Sequence, residues 1–307
     1  MSPILTIGTR GSALALWQAR FIQRVIKEQQ GTESNIRIIK TKGDHLQGLS
    51  FEKMEGKGFF TKEIEDALLA GEIDLAVHSL KDLMTTQPPG LTLGAVGYRA
   101  DRRELLLISE RAVADGAPLP VKEGAVIGTS SARRKSQVAS FLPSAKIHDL
   151  RGNVLTRVQK LRYGEYDAIV IAAAGAERLQ LDFTGLIAVH LPADKFLPAP
   201  AQGVLGIQIR EGDRQTAQVI SSLNCPDTAR EVHVERGLLA RFNAGCSLPL
   251  GVFCRVDNGA VHLLAVLGKQ DGSGWSGLRR VEIEAGNPDE AVDCAYRELT
   301  REPVSCD

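Results

Sequence analysis

Ile4-Leu5-Thr6-Ile7-Gly8-Thr9-Arg10-Gly11-Ser12 and Ala125-Val126-Ile127-Gly128-Thr129-Ser130-Ser131-Ala132-Arg133-Arg134-Lys135 are two copies of one pattern. An apolar run ends in Ile-Gly-Thr, and hydroxyl residues and arginine follow where a helix is expected to start. That order is the signature of a strand-loop-helix unit, and its recurrence predicts two similar lobes. Each lobe has a second buried-strand candidate introduced by an aspartate: Asp74-Leu75-Ala76-Val77-His78 in the first and Asp167-Ala168-Ile169-Val170-Ile171 in the second. Continuous apolar strands set between helices predict parallel sheet.

The loops say what the lobes hold. Arginine stands at three expected helix starts: Arg10, the pair Arg133 and Arg134, and Arg151 in Leu150-Arg151-Gly152-Asn153. Free backbone N–H groups and the positive dipole end of a helix add to guanidinium charge, so the pattern fits a small, multiply charged anion. The positive charge is local: 37 basic and 37 acidic residues cancel over 307 residues. No broad basic face is left to grip nucleic acid, and Arg133-Arg134-Lys135 lacks aromatic partners for bases.

After Ser12 as N-cap, Leu14, Trp17, Phe21 and Val25 form one expected core stripe, and Val154, Val158 and Leu161 form another after Asn153. The chain crosses between lobes near Gly97–Asp101 and returns through Leu197–Gln202, which would make a hinge. Beyond about residue 220 the pattern changes. A helix is expected over Thr228–Phe242, then strands at Gly251–Val256, Val261–Leu267 and Arg280–Ile283, with Asp257-Asn258-Gly259 as a hairpin turn and a last helix over Pro288–Arg301. This is a small α+β unit. The expected boundaries are residues 1–98 with 202–220 for the first lobe, 99–201 for the second and 221–307 for the third unit.

The start, Met1-Ser2-Pro3-Ile4-Leu5-Thr6, has no export-signal pattern, and no apolar run is long enough to cross a bilayer, so a cytoplasmic protein is expected. The five cysteines lack the spacing of a disulfide framework or a zinc site. Gly56-Lys57-Gly58-Phe59-Phe60-Thr61-Lys62 lacks the full phosphate-loop pattern, which excludes a nucleotide triphosphatase reading. Residues 43–58 read either as a lid or as a solvated loop.

Two positions carry candidate chemistry. Asp82, in His78-Ser79-Leu80-Lys81-Asp82, follows the carboxyl end of an expected parallel strand, where open α/β sheets place ligands. Position alone suits a catalytic carboxylate and a solvated Lys-Asp turn equally, while His78 reads as a satisfied core histidine. Cys246, in Ala244-Gly245-Cys246-Ser247-Leu248-Pro249, stands in a small-residue loop where a thiol can be reached. It suits a nucleophile or covalent attachment point, or a small buried apolar residue.

Taken together, Thr9-Arg10-Gly11-Ser12, His78–Asp82, Gly128–Arg134, Leu150–Asn153, Ala173–Arg178, Ala201-Gln202-Gly203 and Gly245-Cys246 resemble the porphobilinogen deaminase family over nearly the whole chain. Met84 stands where the family often has proline, and Ala244 where glycine usually precedes Gly-Cys. Neither change removes a functional group.

The resemblance implies an α/β fold of two doubly wound lobes like periplasmic-binding-protein domains, joined by a hinge. A small C-terminal α+β domain with a three-stranded antiparallel sheet completes it. It also implies a monomeric transferase with neither membrane nor nucleic-acid partner, which joins four porphobilinogen molecules head to tail into hydroxymethylbilane. The implied cofactor is a dipyrromethane primer linked to Cys246, with Lys81, Asp82, Ser130, Arg133 and Arg134 around it. Substrate would meet Arg10, Ser12, Ser79, Arg151, Arg157, Arg178 and Phe60, with Asp82 as the catalytic group; Phe60 also reads as an ordinary core aromatic. The alternative is a two-lobed binding protein for a dicarboxylate or oxyanion.

Overall fold

The computed structural model describes residues 4–41, 61–115, 119–243, 248–272 and 274–301. Cys246, Cys306, Phe60, Ala244 and the 43–58 segment lie outside the described residues. The first lobe contains β1 (Leu5–Thr9), α1 (Ala13–Gln30), β2 (Ser34–Ile38), α2 (Lys62–Leu69), β3 (Leu75–Ser79) and β4 (Leu91–Gly97). In the second are β5 (Glu104–Ser109), β6 (Val126–Gly128), α3 (Ala132–Phe141), β7 (Lys146–His148), α4 (Val154–Arg162), β8 (Ala168–Ala172), α5 (Ala173–Arg178) and β9 (Leu186–Leu191). The chain then supplies β10 (Leu205–Arg210) to the first sheet, followed by α6 (Arg214–Ile220).

The two sheets have one topology. Their orders are β2-β1-β3-β10-β4 and β7-β6-β8-β5-β9. In each, the three strands at one side are parallel, as expected. The expectation of wholly parallel sheets is corrected at one strand per lobe: β10 runs antiparallel to β3 and β4, and β5 antiparallel to β8 and β9. The cause is where the chain enters. Leu205, the first residue of β10, pairs with Ser79 and Gly97, the last residues of β3 and β4. Likewise Glu104, the first of β5, pairs with Ala172 at the end of β8. Both crossings therefore meet the sheets at their carboxyl edges, and a strand that starts there must run backwards.

The aspartates that introduce β3 and β8 do the same work twice. Asp74 accepts from Thr6 N at 2.8 Å and its own N donates to Thr6 O at 2.8 Å; Asp167 accepts from Val126 N at 2.9 Å and its N donates to Val126 O at 2.9 Å. Each clamp pins the start of the neighbouring strand, so a charged residue opens a buried strand with its hydrogen bonds met.

Helix α1 starts where expected, with Ser12 Oγ accepting from Ala15 N at 3.3 Å. Its fully buried face is Ala19, Ile22, Val25 and Ile26, one step round from the expected stripe. Leu14, Trp17 and Phe21 are half-buried at the edge of that face. Trp17 and Phe21 stack at 5.3 Å, and Phe21 meets Tyr98 of the first crossing edge-on at 5.0 Å. The aromatic edge of the helix thus covers the hinge. In α4, Val158 and Leu161 are buried as expected, with Val154 packed beside them.

The third unit is α7 (Pro226–Arg241), a sheet of β11 (Leu250–Asp257), β12 (Ala260–Asp271) and β13 (Gly274–Ala285) in that order, and α8 (Pro288–Thr300). Asn258 and Gly259 both have positive φ, 51° and 87°, and join β11 to β12 as the expected two-residue hairpin. Ala291, Val292, Ala295 and Leu299 of α8 are buried, while Cys294 sits at the margin.

The crossings, residues 98–103 and 192–204, lean on each other: Ala100 N donates to Gly203 O at 3.0 Å. Gly203 has φ +84°, and a Cβ there would lie 2.6 Å from Ala100 O. Strain of this kind costs about 1–3 kcal/mol. Gly203→Ala is therefore expected to lower the free energy of unfolding by about that amount, read from the urea midpoint, whereas Gly212→Ala, with open space around its Cβ but φ +78°, should cost less.

Candidate active site

The loops after β1, β3, β6, β7 and β8 all leave the carboxyl edges of the sheets, and the expected site residues that are described lie on them or on the helices that follow, Arg133 and Arg134 on α3, Arg157 on α4 and Arg178 at the end of α5. Leu80–Asp82 form one turn of 3-10 helix after β3. Leu80 and Leu83 are buried on either side of it, so half-buried Lys81 and exposed Asp82 are held outward. Lys81 lies within electrostatic reach of Asp82 and, across the lobes, of Glu104, Arg133 and Arg134. Arg157 is in reach of Asp82, Arg134 and Arg151. The two lobes thus bring Lys81, Asp82, Arg133, Arg134, Arg151 and Arg157 into one predominantly cationic cluster.

Burial pushes the Lys81 amine down to about 8; Asp82 and Glu104 oppose that effect, and Arg134 and Arg133 add to it. The same desolvation, helped by Arg134 and Arg151, brings Arg157 down to about 10, still cationic at neutral pH. Arg157 Nε is held by Gly152 O at 2.8 Å, and Arg151 faces Asp149 at 3.6 Å. Ser130 ties the loop beneath them, donating to Leu150 O and accepting from Leu150 N, each at 3.0 Å. Ser79 accepts from Gln18 of α1 at 2.7 Å. Arg10 lies in electrostatic reach of His78.

Arg133 and Arg134 are buried, and the carboxylate of Glu104 binds both, at 2.5 Å and 2.7 Å. Their other terminal nitrogens donate to Leu197 O at 2.7 Å and Val170 O at 3.0 Å. Burial alone would raise the Glu104 carboxyl, but Arg134 and Arg133 outweigh it and hold it down at about 2. Glu104 is a residue that sequence reasoning missed. Its signal was a charged residue opening the apolar run Leu105-Leu106-Leu107-Ile108, the same pattern that marked Asp74 and Asp167.

Arg178 stands apart from that cluster. Its NH2 donates to Tyr98 O at 3.2 Å and Gly203 O at 2.6 Å, one carbonyl from each crossing, and its guanidinium lies 5.7 Å from the Trp17 ring centroid. Burial brings it down to about 10. With Trp17, Phe21, Tyr98, Arg99 and Glu177 it lines a hinge cavity of about 350 Å³. His78 is buried, as its core reading expects: its Nε2 meets Gln208 Oε1 at 3.1 Å, and Gln208 in turn donates to Gln87 at 2.8 Å. Burial lowers its pKa to about 4, which leaves the imidazole neutral at pH 7, and the accepting amide oxygen then calls for the tautomer with its proton on Nε2.

The C-terminal domain braces the crossings. Arg99 makes a two-pronged pair with buried Glu235 of α7 at 3.0 and 3.2 Å, and Arg102 reaches Glu231 at 2.6 Å. Glu235 also accepts from Ala201 N at 2.7 Å, so one carboxylate touches both crossings. Burial pushes its carboxyl up, against Arg99 and Arg102.

Comparison with known proteins follows the same layout. A family model described as porphobilinogen deaminase, dipyromethane cofactor binding domain, matches residues 5–218, and one described as porphobilinogen deaminase, C-terminal domain, matches residues 229–297. A porphobilinogen deaminase of Moorella thermoacetica is 41% identical over 97% of this chain and 92% of its own length. One from Maridesulfovibrio salexigens is 44% identical over 88% and 86%. Among solved structures, an ABC transporter periplasmic substrate-binding protein from Coxiella burnetii gives a TM-score of 0.44 at 15% identity, over 74% of this chain and 94% of that one. No helix among the described residues is long and apolar enough to cross a membrane.

Glu104 yields a stability prediction with a definite sign. Its folded pKa of about 2 lies below the ordinary 4.5, so its contribution is complete above pH 4.5 and is lost as pH falls towards 2. Glu104→Gln leaves two buried guanidinium groups without their counter-charge and is expected to cost about 3–5 kcal/mol at pH 7. Urea titrations from pH 7 to 2 should show the gap between the two proteins closing below pH 4.5; a constant gap would contradict the assignment.

Proposed function

This chain belongs to the porphobilinogen deaminase family, and from that premise we infer that Asp82 is its catalytic carboxylate and the cations around it hold the acidic arms of cofactor and substrate. It is a transferase of tetrapyrrole biosynthesis that deaminates porphobilinogen and polymerises four units head to tail into hydroxymethylbilane on a dipyrromethane primer. The observation that carries the site assignment is the exposed Asp82 carboxylate at the rim of a cluster of buried and half-buried cations.

The residues present suit the primer. Each pyrrole carries an acetate and a propionate arm, and planar guanidinium forks match carboxylates in pairs. Arg134 Nε is a buried N–H with no partner among the described residues, left over after Glu104 and Val170 take the other two nitrogens. Lys81, Ser130, Arg133 and Arg134 would hold the primer, joined through a thioether to Cys246. When bound, the dipyrromethane would supply the free pyrrole carbon to which the first unit joins, each later unit joining the pyrrole added before it. Arg10, Ser12, Ser79, Arg151 and Arg157 would receive the incoming substrate, and Phe60 would stack near its ring. Arg178, held on the hinge, would contact it as the chain grows. A single charged hydrogen bond contributes about 1.5–3 kcal/mol net, so a few suffice.

The chemistry then falls to Asp82. Porphobilinogen loses its aminomethyl nitrogen as ammonia, and the positive charge left behind is shared between the methylene carbon and the ring nitrogen. A carboxylate beside the ring N–H stabilises that charge, which is electrostatic catalysis of the usual form. Asp82 can also pass a proton to the departing amine, and later take the proton released when the new carbon–carbon bond restores the aromatic ring. Both roles need an accessible carboxylate, which the outward turn between buried Leu80 and Leu83 provides.

The same reading makes the protein a cytoplasmic monomer with no nucleic-acid partner. The balanced charge of 37 and 37 supports the last point.

Two measurements test the assignment. Intact mass of the freshly purified protein should exceed the polypeptide by two porphobilinogen units less two ammonias, and Cys246→Ser should lack the excess. A bare mass that added porphobilinogen could not change would favour the two-lobed binding-protein reading instead. Asp82→Asn is expected to fold and load primer yet lose about 100- to 10,000-fold in turnover, the usual range for a general acid-base group. Near-normal single-turnover rates in that variant would remove Asp82 from the mechanism.

A further inference from the structure

We propose that Arg236, on α7 of the C-terminal domain, is a positioning residue for Asp82, because its guanidinium gathers the backbone carbonyls of the turn on which that carboxylate stands. Arg236 NH1 donates to Leu80 O at 3.0 Å and Leu83 O at 2.9 Å, and NH2 donates to Met84 O at 2.6 Å. These acceptors bracket Lys81 and Asp82. The inference rests on the assignment of Asp82 given above.

The turn has modest support of its own. Leu80 N donates to Val204 O at 3.0 Å, and Leu83 N closes back on Leu80 O at a long 3.3 Å. A single 3-10 turn leaves carbonyls facing outward, and these need donors if the turn is to keep one conformation. Arg236 supplies them from a half-buried position. Its helix also supplies the packing: Val232 and Ala229, on the same face of α7, join the apolar cluster that contains Leu80, Leu83, Val96 and Val204. Leucines below and a guanidinium across the carbonyls leave the turn little freedom to rock.

Residue type matters. Arginine presents donors in a rigid planar fork and can span three carbonyls spread over residues 80–84. Lysine gathers its three donors on one nitrogen at the end of a flexible stem, so it matches carbonyls set that far apart less well.

There is a further consequence for the site. Helix α7 runs on from Arg236 to Arg241, roughly 8 Å at the ordinary helical rise, and Cys246 follows a few residues later in the chain. The clamp on the Asp82 turn and the approach to the attachment cysteine therefore share one helix. The C-terminal domain does more than carry the primer: it sets where the reacting carboxylate stands.

The test compares Arg236→Ala, Arg236→Lys and Asp82→Asn in the full-length, primer-loaded protein. Arg236→Ala is expected to load primer normally by intact mass and to keep KM within about threefold. Its kcat should fall roughly 10- to 100-fold, the cost of a misplaced catalytic group. Arg236→Lys should fall between it and the parent. Amide hydrogen exchange over residues 80–84 should quicken in Arg236→Ala while the sheet amides of β3 stay protected, a signature that a general loss of stability would not give. A kcat within twofold of the parent, or exchange that quickens equally across β3, overturns the proposal. If Arg236→Ala is normal while Asp82→Asn is inactive, only the positioning role fails; if Asp82→Asn is itself active, the assignment beneath it fails.

Discussion

The carboxylate of Glu104 accepts from Arg133 and Arg134 in a dry environment, and the site depends on that clasp. Glu104 is the first residue of β5, where the first crossing enters the second lobe, and the two arginines open α3. One interaction therefore fixes a helix start against a hinge exit. It also sets the charge of the cleft. Two guanidiniums share one carboxylate, so a net positive charge remains, and Lys81 from the other lobe feels all three groups. Removing either side of such a buried cluster strands uncompensated charge, so the start of β5 and the first turn of α3 are held to one another.

Much of this was legible in the residues. The repeat of Ile-Gly-Thr announced two lobes, the aspartates before β3 and β8 announced matching strands, and Asn258-Gly259 announced the hairpin. Each signal is local and rests on periodicity or turn chemistry. Other features were not local. The antiparallel sense of β5 and β10 follows from where the crossings enter, which no window of sequence contains. The buried face of α1 lies one step from its most apolar stripe because the aromatic edge covers the hinge.

The arginines show the same limit more sharply. Position marked Arg133 and Arg134 as ligand-facing and the family resemblance added Arg178, yet each gives donors to protein: to Leu197 O, Val170 O, Tyr98 O and Gly203 O. A backbone carbonyl has no side-chain signature, so sequence cannot say which arginine will spend its hydrogen bonds on one. Arg236 is the extreme case, since all three of its named acceptors are carbonyls of a turn that lies at least 152 residues away in the chain. For Asp82, position after a strand left a catalytic carboxylate and a solvated turn equally open, and what the fold adds is an exposed carboxylate held outward between buried Leu80 and Leu83.

The strand exchange at the hinge has a bearing on how the molecule comes to be made. In the second sheet all five strands, β5 to β9, come from one continuous stretch of chain. In the first sheet β4 pairs with β10 and with no other strand among the described residues, and β10 is translated more than a hundred residues later. During synthesis from the amino terminus, the second lobe can therefore complete its sheet while β4 of the first still waits for its neighbour. The lobe that comes first in the chain closes last, and the cleft between them exists only once residue 210 has left the ribosome.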